Sequence, residues 1–119
     1  MDEARLPTAL LIEARLRHLD LQAIPYYIAN KGAYAAGTVL LKLNGGGVCK
    51  VLIQQRDIDG VLGWANALKE EQVDEKKADD YIRRSVSRDP DLWVIEIEDK
   101  QMRNPFEEKE KSFTADERG

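Results

Sequence analysis

Hydrophobic residues recur every three or four positions near the start of the chain, and this spacing predicts an amphipathic helix. Leu6-Pro7-Thr8 opens the helix, because proline suits a first turn in which its missing N–H has no helical partner. The helix is expected to stop before Ile24-Pro25. Its apolar stripe consists of Ala9, Ile12, Leu16 and Leu19, widened by Leu10, Leu11 and Ala14.

After this helix the pattern changes to short β-branched and alternating runs, which predict strands. The predicted strands cover residues 24–29, 38–43, 48–55 and, in a short fourth run, 61–65. Asn44–Gly47 predicts a hairpin turn between the second and third strands, because Asn and Gly tolerate positive φ. In the second strand Val39, Leu41 and Leu43 share one face, so that face is expected to be buried.

A second helix and a final strand complete the pattern. The helix begins near Asp74, a favourable N-cap residue, and ends at Asp89-Pro90, because the residue before a proline disfavours helical geometry. Its apolar stripe is thin and consists of Ala78, Tyr81, Ile82 and Val86. Residues 92–98 form the last strand, whose first half is apolar on both faces. Because this strand follows a helical crossover, we expect it to pair parallel to a neighbour.

These elements predict an α+β fold, a mostly antiparallel sheet of four to five strands with two helices in the order α-β-β-β-(β)-α-β. Both helices are expected against one face of the sheet. Residues 1–106 form the predicted single domain. The segment 107–119 has few apolar anchors and many charges, so we expect a disordered C-terminal tail.

Composition and charge narrow the class of protein. The chain has 119 residues, of which 43% are hydrophobic and 34% charged, and this suits one small domain with a real core. Its net charge of −4 and sequence pI of about 5.1 disfavour binding to nucleic acid, since a grip on a phosphate backbone needs clustered Lys and Arg.

The sequence also carries information about the cellular compartment. No apolar run approaches the length of a membrane span, and charges interrupt the N-terminal apolar stretch, so neither membrane association nor a signal peptide is expected. The one cysteine, Cys49, cannot form an intramolecular disulfide, which fits a reducing environment. We therefore expect a cytoplasmic protein.

Three carboxylates cluster at the end of the last predicted strand. Glu96 and Glu98 share one face with roughly 6.5–7 Å between their Cα atoms, and Asp99 follows them. Carboxylates at this spacing can bind Mg²⁺ or Ca²⁺, or act as an acid–base pair if a cleft shifts one pKa. The favoured interpretation is a solvated strand end at which Lys100 and Arg103 offset the charge. Glu96 and Glu98 thus stay weak candidates for metal ligands, and no metal site is predicted.

Two further groups of residues are candidates for a ligand or partner surface. Lys31 begins a loop that runs to Gly37 and is either an anion-binding loop or, as we favour, an ordinary strand connection. Arg56-Asp57 at the end of the third strand can pair internally or meet a ligand. No nucleotide-binding or other cofactor motif occurs, so no cofactor is expected. The complete candidate surface is Lys31, Arg56, Asp57, Glu96, Glu98, Asp99 and Arg103.

The combination of RLPTALLIEARLRHLD, GTVLLKLN, QRDIDG and DPDLWVIEIED resembles a family of small, uncharacterised bacterial proteins found mainly in alphaproteobacteria. The resemblance covers about residues 5–106, and its most specific part is DPDLWVIEIED at 89–99. It implies a compact α+β domain in a bacterial cytoplasm. The family is a domain of unknown function, so the resemblance implies no activity, substrate or catalytic residue.

The leading hypothesis is a small module that binds a protein or a ligand without catalysis, because strong catalytic motifs are missing while a sheet edge and a charged tail can meet a partner. The expected partner is a second copy, paired through an edge strand, or an unidentified protein. The alternative is a metal-dependent hydrolase or transferase that uses Glu96, Glu98 and Asp99, with Lys31 or Arg56 binding an anionic substrate.

Overall fold

The computed structural model describes residues 6–107, and this part of the chain forms two helices and six strands. The predicted α+β class is confirmed, with six strands in place of the predicted four to five. The additional strand has only two residues, too few to leave a periodic pattern in the sequence. In chain order the elements are α1 (Thr8–Leu21), β1 (Tyr26–Asn30), β2 (Val39–Asn44), β3 (Val48–Arg56), β4 (Leu62–Asn66), β5 (Val73–Asp74), α2 (Glu75–Arg88) and β6 (Trp93–Glu98).

The described strands form one sheet in the order β1-β6-β2-β3-β4, with β5 also paired to β3. The last strand of the chain therefore lies inside the sheet, between β1 and β2. It runs parallel to β2, as predicted, with Val39 opposite Trp93 and Asn44 opposite Glu98. All other pairs are antiparallel.

The two helices pack on opposite faces of the sheet, and the expectation of a single helical face is wrong. Apolar side chains of β2 and β6 alternate between the faces, so both faces of these central strands need cover. We call the two sides the α1 face and the α2 face. The α1 face buries Ile12, Leu16, Leu19, Val39, Leu41, Leu43, Trp93, Ile95 and Ile97, and the α2 face buries Leu40, Cys49, Val51, Ala78 and Val94.

The first helix takes its N-terminal cap from a distant loop. Pro7 is the N-cap residue and supplies no side-chain cap. Instead the N–H of Thr8 donates to Ala35 O at 3.1 Å, and the N–H of Ala9 donates to Tyr34 O at 3.0 Å. The loop carbonyls thus satisfy donors that helix starts leave unpaired.

The same loop lies directly on the start of β6. The indole N–H of Trp93 donates to Ala33 O at 2.8 Å, and the N–H of Ala33 donates to Asp91 O at 3.0 Å. A Cβ atom on Gly32 would lie 2.7 Å from Cδ1 of Trp93, and one on Gly37 would lie 2.7 Å from Asp91 O. Both glycines therefore permit the close approach that joins α1 to the centre of the sheet.

The second helix and the β2–β3 hairpin follow the sequence prediction. The carboxylate of Asp74 accepts a hydrogen bond from the N–H of Lys77 at 2.8 Å, which caps α2. In the hairpin, Gly46 and Gly47 adopt φ values of 97° and 100°, where other residues are strained. The side chain of Asn44 accepts a hydrogen bond from the N–H of Gly46 at 2.9 Å and stabilises the turn.

After β6 the chain returns across the α1 face. Phe106 is buried there, and its ring lies edge-on to Trp64 at 6.2 Å between ring centres. The folded core therefore includes the chain as far as Phe106. Of the predicted tail, all but Glu107 lies outside the described residues. Neither described helix has the length and apolarity that crossing a membrane requires.

Candidate functional site

A buried lysine lies at the centre of a charged cluster on the α2 face. Lys42 projects from the middle of β2, and its side chain is only 5% exposed. Its Nζ lies 2.7 Å from Asp79 Oδ1 and 2.8 Å from Glu75 Oε2, both on α2, and 3.5 Å from Glu96 Oε1 on β6. Asn44 donates to Glu75 at 3.3 Å and to Glu96 at 3.2 Å. We call these five residues the Lys42 cluster.

The cluster keeps its lysine protonated. Burial by itself lowers the pKa of Lys42, but the hydrogen bonds to Asp79 and Glu75 and the charge of Glu96 outweigh it and raise the pKa above its usual value. The ammonium donates hydrogen bonds to Asp79 and Glu75, and Glu96 adds a third negative charge at 3.5 Å. A protonated amine is neither a nucleophile nor a base, so this arrangement suits the attachment of α2 to the sheet.

Cys49 lies near this cluster and is completely buried. Burial raises the pKa of its thiol; the charge of Lys42 opposes this, the cluster carboxylates add to it, and the pKa is raised on balance. The thiolate that nucleophilic or redox chemistry requires is therefore disfavoured. Cys49 serves as a small apolar side chain in the core.

The predicted carboxylate group at the end of β6 is divided among three environments. Glu96 is 21% exposed and belongs to the Lys42 cluster, whereas Glu98 is exposed. Asp99 accepts hydrogen bonds from the Arg103 side chain at 2.9 and 3.2 Å, which together with two backbone N–H groups lower its pKa to about 2. Among residues 6–107 no group of three or more His, Cys, Asp or Glu side chains could hold a metal ion.

Arg103 pairs with Asp99, but the other positively charged candidates, Lys31 and Arg56, lie at the other end of the sheet from these carboxylates. Lys31 follows β1, whose last residue pairs with Val94 near the start of β6. Arg56 ends β3 near the start of β2, and from there to Asn44 the strand length is roughly 16 Å. The arrangement needed by the alternative enzyme hypothesis, with Lys31 or Arg56 beside Glu96, Glu98 and Asp99, is therefore not formed.

Arg56 and Asp57 shape the β3–β4 hairpin. The guanidinium of Arg56 donates to Gly60 O at 2.8 Å. One carboxylate oxygen of Asp57 accepts from the N–H of Asp59 at 2.8 Å and from the N–H of Val61 at 2.9 Å. Asp57 thus closes the turn, while Arg56 retains further donors on an exposed guanidinium.

A groove of about 470 Å³ runs along one side of α1 on the α1 face. It is bounded by α1, by the end of β3 with the start of β4, and by the loop that caps α1. We call it the α1 groove. It is lined by Leu6, Thr8, Leu11, Ile12, Arg15, Ala35, Ala36, Gly37, Thr38, Val39, Gln54, Gln55, Arg56, Leu62 and Phe106.

The rim of the α1 groove is apolar and open to solvent. Leu6 is 54% exposed, Leu11 47% and Leu62 45%, although such side chains usually lie in a core. Arg15 and Arg56 also line the groove, whereas none of its described lining residues is Asp or Glu. An apolar surface bordered by positive charge is therefore present on an acidic protein.

Sequence reasoning missed both Lys42 and the α1 groove. A lysine within the apolar run VLLKL, followed later by Glu75 and Asp79 on one face of a helix, was the available signal for the buried cluster. The sequence pattern places Leu11 in the widened apolar stripe of α1, although only Ile12, Leu16 and Leu19 of this helix are buried. No local pattern distinguishes an apolar rim from an apolar core, because the difference depends on which strands the helix covers.

Known structures share this fold. A crystal structure of a DUF1491 family protein from Caulobacter crescentus CB15 has 30% identity and a TM-score of 0.77, covering 88% of this chain and 97% of that chain. An NMR structure of a DUF1491 family protein from the same organism has 29% identity and a TM-score of 0.72, covering 84% and 91%. The solution structure of protein Atu0922 from A. tumefaciens, at 21% identity and a TM-score of 0.64, covers 80% and 86% and supports the fold alone.

The sequence comparison agrees with the structural one. No curated protein matches this chain. The family model described as "Protein of unknown function (DUF1491)" matches residues 6–107, nearly all of the chain, and confirms the resemblance seen in the sequence. The chain therefore belongs to the DUF1491 family, whose function is unknown.

Proposed function

We propose that this protein is a non-catalytic interaction module of the bacterial cytoplasm, which binds an acidic and partly apolar segment of a partner protein in the α1 groove. The observation that carries the proposal is the lining of the groove, where exposed apolar side chains lie beside Arg56, whose guanidinium forms no ion pair with a described carboxylate. The free, buried Cys49 supports a reducing compartment.

The shape of the groove favours a peptide segment over a small molecule. Small-molecule sites usually bury most of the ligand surface, whereas this groove has a rim of exposed leucines. Its α1 wall is formed by Thr8, Leu11, Ile12 and Arg15, a length of about 10 Å along the helix axis. An amphipathic helix can lay apolar side chains into such a groove and keep its polar face in water.

The positive charge of the groove favours an acidic partner segment. Arg56 forms no ion pair with a described carboxylate, and its guanidinium makes one hydrogen bond, to Gly60 O. It can therefore accept a carboxylate of a partner, in the two-pronged geometry that arginine favours. The whole chain carries a net charge of −4 and repels an acidic segment overall, whereas Arg56 provides local attraction for it.

A selection from a phage-displayed library of random twelve-residue peptides tests the proposal on the full chain. We expect enrichment of peptides that combine Leu or Phe with Asp or Glu. Arg56→Glu should weaken the binding of these peptides at least tenfold, because it places a carboxylate against their own carboxylates. Leu62→Asp should have a similar effect through the apolar rim.

Matched variants outside the groove control for general effects of charge. Arg84→Glu reverses an exposed arginine on α2, and Val48→Asp changes an apolar side chain that is 43% exposed on β3. Both should bind the selected peptides as the native protein does. A selection without enrichment, or peptides that bind all four variants equally, would overturn the proposal.

A further inference from the structure

β1 forms an edge of the sheet and is bare on its outer side in the described part of the chain. Tyr27 is 66% exposed and Ile28 is 38% exposed. The side chain of Tyr27 lies on the α2 face, opposite Glu96, where α2 does not reach. An edge strand with exposed apolar side chains is a surface to which another strand can add.

The hydrogen-bond phase of β1 fixes which backbone groups point outward. Glu98 donates its N–H to Pro25 O at 3.1 Å, so these two residues form a hydrogen-bonded pair across the ladder. Bonded and non-bonded pairs alternate in an antiparallel ladder, so Tyr27 is also bonded to its partner Glu96. Tyr26 and Ile28 therefore direct their N–H and C=O groups away from the sheet.

The sequence of this edge lacks the usual protection against pairing. Exposed edges are commonly blocked by lysine or another charge, yet residues 24–30 carry none. Tyr and Ile are also among the best strand formers. The features that interrupt the edge are Pro25 before the strand and the irregularity between Ile28 and Asn30, which leave three residues free to pair.

From this geometry we infer that two copies of the chain pair antiparallel through β1, about a two-fold axis at Tyr27. In this register Tyr26 of each copy lies opposite Ile28 of the other, and their outward N–H and C=O groups form four hydrogen bonds. The two Tyr27 side chains meet at the axis in a non-bonded pair, in which side chains approach most closely. The dimer uses a different surface from the α1 groove, so dimerisation and peptide binding can each fail independently.

Charge complementarity favours pairing through β1 over pairing through β4, the other open edge of the described sheet. Lys31 follows β1 and approaches the C-terminal end of α1 in the second copy, where the helix dipole is negative and Asp20 lies. The two-fold symmetry forms this contact twice. At the other edge, β4 contains Gly63 and its Trp64 is already packed on Phe106, so its side chains offer less to a second strand.

Disulfide trapping of the full chain tests the two-fold axis. Tyr27→Cys should oxidise to a covalent dimer, because non-bonded antiparallel pairs bring Cβ atoms within disulfide reach. The native cysteine is buried and should not interfere. Ile58→Cys is the control, since Ile58 is 98% exposed and reports random collisions. We expect Tyr27→Cys to cross-link at least tenfold faster.

Sedimentation equilibrium of the unmodified chain provides the second measurement. We expect a dimer of twice the 13.5 kDa chain mass, and Ile28→Lys should raise its dissociation constant at least tenfold while Val48→Lys leaves it unchanged. Equal cross-linking rates for the two cysteine variants together with a monomeric mass would overturn the inference. A ladder of larger species would overturn it too, since that indicates head-to-tail pairing of β1 with β4.

Discussion

The ammonium of Lys42 on β2 lies 2.7 Å from the carboxylate of Asp79 on α2, and this contact joins the centre of the sheet to the helix that covers it. Lys42 is 4% exposed, yet it is charged. A buried charge is tolerated only when it is paired, and Glu75 and Glu96 complete the pairing. The cluster is therefore a structural element, and its removal should affect stability.

Lys42→Met should lower the free energy of unfolding by about 3 kcal/mol, because three carboxylates then face one another without a cation. Urea denaturation followed by tryptophan fluorescence measures this change. Lys76→Met is the control, since Lys76 forms an ion pair on α2 but is 84% exposed, and it should change stability by less than about 0.5 kcal/mol. Equal effects of the two variants would contradict the structural role of the cluster.

The pH dependence of the Lys42 contribution has a definite sign. Its pKa is raised above the usual 10.5, so its contribution to stability is complete below that pH and is lost only as pH rises toward the folded pKa. The stability difference between the native protein and Lys42→Met should therefore stay constant between about pH 7 and pH 9. A difference that declines within this interval would show that the folded protein does not hold Lys42 protonated.

Asp99 should contribute to stability with the opposite pH dependence. Its pKa falls from 3.8 to about 2 in the folded protein, so its contribution is present above about pH 4 and is lost as pH falls toward 2. Asp99→Asn should lower the free energy of unfolding by about 1 kcal/mol at pH 6 and by almost nothing at pH 2. The value at pH 6 is modest because Arg103 is exposed and solvent screens the ion pair. Glu98→Gln, an exposed neighbour, should show no such pattern in urea titrations at the two pH values.

Gly32→Ala should destabilise the protein by about 3 kcal/mol, because its methyl group would lie 2.7 Å from Cδ1 of Trp93. Displacement of the loop would also remove the carbonyl groups that cap α1. Thermal unfolding by circular dichroism measures the loss. Gly63→Ala is the matched control, since nothing lies within 4 Å of its added methyl group, and a comparable loss there would refute the packing argument.

Phe106→Ala should lower the free energy of unfolding by about 3 kcal/mol through loss of a buried ring and its contact with Trp64. Tyr34→Ala removes an aromatic ring that is 61% exposed and should cost much less. Denaturant unfolding of both variants compares them directly. If Phe106→Ala were neutral, the chain after β6 would not be part of the core.

Local sequence patterns predicted the helices, strands and turns of this fold well. They predicted the long-range arrangement of these elements less well. The caps and turns at Asp74 and Asn44–Gly47 depend on neighbouring residues, so the sequence contains the necessary information. The parallel pairing of β6 followed from its helical crossover. The placement of helices on both faces did not, because it depends on β6 lying between β1 and β2.

The candidate site was harder to predict than the fold. Among the predicted residues, Glu96, Glu98 and Asp99 are neighbours in sequence but have separate roles, since a buried lysine on another strand engages only Glu96. Arg56 does line the α1 groove, yet the sequence marks it as a candidate only by its position at the end of a strand. Which apolar residues of α1 stay exposed depends on how much of the helix packs on the sheet. The periodicity of apolar residues in the sequence does not indicate this.

An amide NMR titration of the full chain shows whether an acidic amphipathic segment binds in the α1 groove. The probes are a synthetic amphipathic peptide with leucines on one face and glutamates on the other, and its counterpart with lysine in place of every glutamate. We expect saturable shifts at Leu11, Arg56 and Leu62 with the glutamate peptide and none with the lysine peptide. Shifts of equal size with both peptides, shifts centred outside the α1 groove, or no shifts at all would contradict the proposed function.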